Sequence, residues 1–230
     1  MKNIKKLLVI AAHPDDELLG CGGSIAKYLN NGVLVKVLFL GEGSTCRYDD
    51  PSCKKAVAAI AERNLWAVEA LGVLGVTDFE FYNLPCGRFD QTPIIVINKI
   101  IESVIRQFSP DTVFTHSAGD ANNDHRIAHR ATIMATRPCG ENVVNRLFCY
   151  EVLSSSEWSY TSSFLPNYFI SLTESQLLAK WSALECYATE MRDYPFPRSW
   201  MGVKNLAEKR GMQAGIEFAE AFQLVREFEL

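Results

Sequence analysis

Leu7-Leu8-Val9-Ile10-Ala11-Ala12-His13-Pro14-Asp15-Asp16-Glu17 decides how this chain is organised. An uninterrupted apolar run that changes sharply to polar residues is the pattern of a parallel strand covered on both faces. Beyond it, Leu18, Leu19, Cys21, Ile25, Ala26 and Leu29 recur at helical spacing until Asn31-Gly32 supplies a stop. Val33 to Leu40 is a second strand-like run, so the chain opens as a β-α-β unit. Gly41 to Pro51 then has the Gly, Ser, Thr, Asp and Pro density of a functional loop. Lys54 to Leu71 predicts a helix closed by Gly72, and Phe79 to Asn83 a strand. Thr92-Pro93 predicts an N-cap with proline in the first helical position, opening a helix to about Phe108. Thr112 to His116 predicts a strand, His125 to Thr136 a helix, and Leu147 to Leu153 and Tyr168 to Leu172 later strands. Thr173 with Gln176 forms a capping-box signature for a helix through Met191. This alternation implies an α/β fold, a mostly parallel sheet with helices on both faces. The segment from about 190 to 230 predicts less regular chain folded back onto the same domain.

The 230 residues are 48% hydrophobic, 22% charged and 11% aromatic, which excludes disorder and a fibrous repeat. That length suits one domain, 1–230, with a sizeable core. A net charge of −4 argues against the basic face that nucleic acid or anionic lipid requires, and leaves a small molecule as the expected partner. A homo-oligomer is compatible with the chain. The seven cysteines, Cys21, Cys46, Cys53, Cys86, Cys139, Cys149 and Cys186, are odd in number and lack CxxC spacing. They read as reduced thiols rather than a disulfide framework or a thiolate zinc site. The basic Met1-Lys2-Asn3-Ile4-Lys5-Lys6 is followed by too short an apolar run for a secretory signal, and no stretch approaches the roughly 18 apolar residues of a membrane span. A cytoplasmic protein is expected.

Ligands of parallel sheets bind outside the carboxyl ends of strands, where His13-Pro14-Asp15-Asp16-Glu17 stands. An Asp-Asp pair alone reads as readily as acidic residues at a helix N-terminus. The histidine changes the balance, because His13 and Asp16 can chelate one cation across a tight turn and leave Asp15 to face a bound water. A third ligand is expected from another strand end, and Thr115-His116-Ser117-Ala118-Gly119-Asp120-Ala121-Asn122-Asn123-Asp124-His125-Arg126 offers two histidines. His129, one helical turn beyond His125, reads as a surface or helix-packing residue. A His, Asp, His set plus water is the composition of an open catalytic zinc site, and it also accepts ferrous iron, cobalt or manganese. Gly20, Gly22 and Gly23 fail the dinucleotide-loop spacing, since Ile25 stands where the last glycine belongs, and imply close packing of the helix on the sheet. Arg47 and Arg198 are candidates for binding substrate hydroxyls, a carboxylate or a phosphate. Trp158, Tyr160, Tyr168 and Trp200 offer rings for stacking on a ligand, with core packing the more ordinary role.

Three groups of residues carry a family resemblance: Ala12 to Glu17 followed by Gly20-Cys21-Gly22-Gly23, Gly119 to Arg126, and Arg210-Gly211 with Ala219-Glu220-Ala221-Phe222. Together they resemble the PIG-L/LmbE-type zinc-dependent N-acetylglucosaminyl deacetylases. The resemblance implies a Rossmann-like single domain that hydrolyses the N-acetyl group of an amino sugar or its conjugate. Matched by position, it implies His13, Asp16 and His125 as metal ligands and Asp15 as general base. The chain departs at Asn122, where many members carry a histidine thought to stabilise the oxyanion or protonate the leaving amine. A subset of the family has Asn there and a histidine at the position of His116. His116 is therefore expected to take that role, oriented by Asp120 or Asp124, with Asn122 a second donor. Asp124, next to the ligand His125, is also expected to orient a histidine from outside the ligand set. Two other readings compete: a deacylase of a different amide, such as an acylated glycoside or a thiol-sugar intermediate, and a non-catalytic sugar- or nucleotide-binding module.

Overall fold

The computed structural model describes residues 4–139 and 143–229, and the leading Met1-Lys2-Asn3 lies outside them. The elements in chain order are β1 (Lys6–Ala11), α1 (Asp16–Asn30), β2 (Leu34–Gly41), α2 (Lys54–Leu74), β3 (Asp78–Leu84), α3 (Ile94–Phe108), β4 (Thr112–His116), α4 (Asn123–Ala135), β5 (Arg146–Tyr150), β6 (Tyr168–Leu172), α5 (Glu174–Leu184), α6 (Trp200–Ala214) and β7 (Phe218–Glu227). The strands form one sheet in the order β3-β2-β1-β4-β5-β7-β6. β1 lies parallel to both neighbours, with Leu7 beside Val35 of β2 and Thr112 of β4. β7 runs antiparallel to β5 and β6.

Leu7 through Ala11 have no solvent exposure. Alternate residues serve opposite layers, as a period of two requires: Leu7, Val9 and Ala11 join one core and Leu8 and Ile10 the other. The first core takes apolar residues from α1, α2, α5 and α6, and the second from α3 and α4. The chain is thus α/β, mostly parallel and covered on both faces, as its sequence pattern predicts. From β1 it winds outward to β2 and β3 on one side, then returns to β4 and β5 on the other. The carboxyl ends of β1 and β4 therefore flank the switch point, where an open sheet leaves a crevice.

Helix α1 packs closely through its glycines, as predicted. A Cβ on Gly20 would lie 2.2 Å from the Tyr150 ring, and one on Gly23 would lie 2.5 Å from Leu172. At Cys21 the backbone leaves helical geometry (φ −147, ψ 22). Glu220 of β7 accepts from the N–H groups of Gly23 (3.0 Å) and Ser24 (2.6 Å), capping the helical segment that restarts after this break. Lys180 of α5 completes the buried group, 2.7 Å from Glu220 Oε1 and 2.9 Å from the Leu19 carbonyl.

Several boundaries differ from the sequence expectations. Helix α2 runs through Gly72 and ends at Gly75, whose φ of 85 suits a residue without a Cβ. Pro93 occupies the cap itself, so α3 begins at Ile94. The capping box of Thr173 and Gln176 is present, but α5 stops at Leu184 rather than Met191, and the chain turns with Tyr187 buried. The stretch from about 190 contains α6 and the ten-residue strand β7 where less regular chain was expected. β7 is buried on both faces from Phe218 to Phe222, and the charge of Glu220 hides that run from an apolar pattern search. Among the described residues no helix is long and apolar enough to cross a membrane.

Candidate active site

The turn after β1 presents two neighbouring carboxylates in different directions. Asp15 has φ 111 and ψ −27, an unusual conformation for a residue with a side chain. The turn closes through Asp16 itself, whose Oδ2 accepts the His13 N–H at 2.8 Å. That same oxygen lies 3.6 Å from His13 Nδ1 and 3.3 Å from Nε2 of His125, which enters from the first turn of α4. His13, Asp16 and His125 each bring one donor atom within 4.8 Å of the others, and all three are buried.

Each histidine has a carboxylate behind it. His13 Nε2 is 2.9 Å from Asp124 Oδ2, and Asp124 also accepts from the N–H groups of Gly87 (2.6 Å) and Phe89 (3.1 Å). A proton on Nε2 leaves Nδ1 with its lone pair toward Asp16. His125 Nδ1 lies 3.2 Å from Asp120 Oδ1, at an angle outside hydrogen-bond geometry. Asp120 is itself fixed by the hydroxyls of Ser155 and Ser156. Against the cost of burial, His125 and these hydroxyls hold the Asp120 carboxyl down to about 2. Burial likewise opposes charge on His125, but Asp16 and Asp120 push it up to about 10. Two nitrogens and an oxygen, oriented by outer carboxylates in a pocket that stabilises positive charge, fit a zinc-type divalent cation.

Asp15 belongs to a different group. Its Oδ2 accepts from Arg63 and Arg198, each at 2.7 Å. Both arginines reach Glu190 as well, at 2.7 and 3.3 Å, and Arg47 pairs with the same carboxylate at 2.7 Å. Burial raises the Asp15 carboxyl and the two guanidinium groups only partly offset it. These side chains and the three candidate ligands line an open cavity of about 270 Å³, with Asn122, Trp158 and Phe196 also in its wall.

A family model described as "PIG-L: GlcNAc-PI de-N-acetylase" matches residues 8–136, more than half of the 230. The chain belongs to the PIG-L family. An uncharacterised deacetylase of Escherichia coli, YaiS, is 26% identical over 185 residues, covering 79% of this chain and 89% of that protein. The diacetylchitobiose deacetylase of Thermococcus kodakarensis is 26% identical over 97% of this chain and 84% of its own length. The N,N'-diacetylchitobiose deacetylase of Pyrococcus horikoshii has the same fold, with a TM-score of 0.77 at 24% identity, covering 97% of this chain and 85% of that one.

In this PIG-L protein the structure brings His13, Asp15, Asp16, Asn122, His125, Arg47 and Arg198 together around one cavity, with Asp124 directly behind His13. His116 is placed otherwise. It is fully buried beneath the site, and its Nε2 accepts the Ala12 N–H at 2.8 Å. Its ring stacks on His125 at 4.1 Å, and burial followed by the neighbouring His125 pushes its pKa well down. His116 is not among the residues that line the cavity, where a donor to the oxyanion was expected. Asp120 and Asp124, expected to orient His116, lie against His125 and His13 instead. Asn122 caps α4, its Oδ1 accepting the Asp124 N–H at 2.9 Å. His129 packs outside the site with Nδ1 3.0 Å from the His116 carbonyl. Of the four aromatics considered, Trp158 is the one in the cavity wall.

Sequence reasoning missed Arg63 and Glu190. Arg63 shares the buried stripe of α2 with Ala56, Ala67, Ala70 and Leu74. A charge in register with an apolar stripe was the available signal, since a buried charge requires a partner. Glu190 lies among turns without periodicity and gives none.

Proposed function

We propose that this protein is a metal-dependent hydrolase that removes the N-acetyl group from an N-acetylated amino sugar or its conjugate. The observation that carries the reading is the buried His13, Asp16 and His125 set beside Asp15 in one open cavity. The relatives' names, GlcNAc-PI de-N-acetylase and diacetylchitobiose deacetylase, support the substrate class. His13, Asp16 and His125 would hold zinc or a related divalent ion, which when bound supplies a Lewis acid and an acidified water.

The chain's own residues supply the rest. Arg63 and Arg198 fix Asp15 through Oδ2, leaving Oδ1 to take the proton of the attacking water. The same carboxyl then returns that proton to the departing amine. Asn122 has its Oδ1 committed to the α4 cap, so Nδ2 is the free donor for the oxyanion, a contact whose loss commonly costs about 10²–10³ in rate. Arg47, half exposed at the rim, binds polar groups of the substrate, while Arg198 acts mainly by holding Asp15.

The test is acetate release by metal-loaded protein from free, nucleotide-linked, lipid-linked and thiol-conjugated N-acetylhexosamines. Release from one or more of these, together with about one metal per chain that is lost in His13→Ala and His125→Ala, is the expected result. Metal content unchanged in those variants, with no acetate from any substrate, would overturn the reading.

A further inference from the structure

Two cysteines stand in the wall of this cavity on separate loops. Cys46 belongs to the short turn Thr45–Arg47 after β2, and Cys86 follows β3. Their Sγ atoms are 2.9 Å apart, Cys46 exposed and Cys86 buried. A disulfide needs a separation of about 2.05 Å, so the bond forms with under about an ångström of movement. We propose that Cys46 and Cys86 are a reversible oxidation site that ties the two loops together and lowers activity when closed. Cys46 is the sulfur a solvent oxidant reaches. It takes one oxygen from a hydroperoxide, which departs as alcohol or water, and becomes a sulfenic acid. The Cys86 sulfur then displaces that oxygen as water, so two thiols lose two electrons and one hydroperoxide is reduced. A dithiol reverses the step by exchange.

The loop of Cys86 is the one that holds the metal-ligand geometry. Cys86 N–H donates to Glu42 at 2.7 Å, and the next residues, Gly87 and Phe89, hold Asp124, which holds His13. Cys46 adjoins Arg47, the partner of Glu190. Drawing the two sulfurs together therefore pulls on a chain of contacts ending at His13, where a displacement near an ångström can cost up to about 10²-fold in rate. Cys86 also shares a cluster with His13 and Asp124 whose donor atoms lie within 4.8 Å of one another, so a soft cation is the competing occupant.

The experiment treats metal-loaded protein with a hydroperoxide and follows intact mass, cross-linked peptides, metal content and acetate release. A loss of about 2 Da, a Cys46–Cys86 peptide, unchanged metal, and a turnover decrease of about tenfold or more that a dithiol restores are expected. Cys46→Ser and Cys86→Ser should each abolish the mass loss, with Cys86→Ser leaving a sulfenic acid that a dione traps at Cys46. The mass and peptide readouts do not depend on the substrate being correctly assigned. Cross-links at other cysteines, oxidation of Cys46 without bonding to Cys86, a cation that shields both thiols, or a cross-linked protein of undiminished turnover would overturn the proposal.

Discussion

Asp15 and Asp16 are neighbours in the chain with separate surroundings. Asp16 faces three histidines, His13, His116 and His125, whereas Asp15 is turned at φ 111 to meet two arginines. Such a backbone costs about 1–3 kcal/mol and persists because the surroundings over-determine it. Asp15→Asn is expected to lower acetate release by about 10²–10⁴ while bound metal stays near the wild-type level, measured side by side. Loss of the metal in that variant would make Asp15 a ligand. Asp124→Asn, removing the negative charge behind His13, should weaken metal affinity by about 10–100-fold in a chelator competition. His13, Asp15, Asp16 and His125 were legible because each lies in a short local motif at a strand or helix end. The placement of His116 was not, since it depends on which way the last residue of β4 faces, and Ala12 just past β1 and Tyr150 of β5 decide that.

At the scale of elements, α1 is two helical segments joined at Cys21, and its fit depends on side chains that are missing. Gly20→Ala sets a methyl into the Tyr150 ring, itself fully buried, so a loss of about 1–3 kcal/mol in denaturant unfolding is expected. An unchanged midpoint would mean that Tyr150 has room to move. Glu220→Ala strips the partner from buried Lys180 and two N–H groups at once, and should cost about 3–5 kcal/mol by the same measurement. The first four strands were readable because apolar runs in β1, β2 and β4 are continuous and the turns between them carry Gly, Asn and Pro. β7 was not, because the residue that breaks its apolar run is the one that joins it to α1.

For the whole molecule, the arrangement that matters is the order of the strands. Five parallel strands place the carboxyl ends of β1 and β4 side by side, and this topology brings His13 and His125 together from residues far apart in the chain. No local pattern contains that order, although alternation of strand and helix narrows it to a few possibilities. Deleting 218–229 removes the strand between β5 and β6, and the shortened chain is expected to elute as aggregate in size-exclusion chromatography because two edges lose their shared partner. The position of β7 also sets a schedule for synthesis. Among the described residues β6 is hydrogen-bonded to β7 and to no other strand in the sheet, yet it precedes β7 by all of α5 and α6. A nascent chain extended as far as α6 therefore holds β6 without a mate. During synthesis, the far edge of the sheet cannot close until β7 has been made.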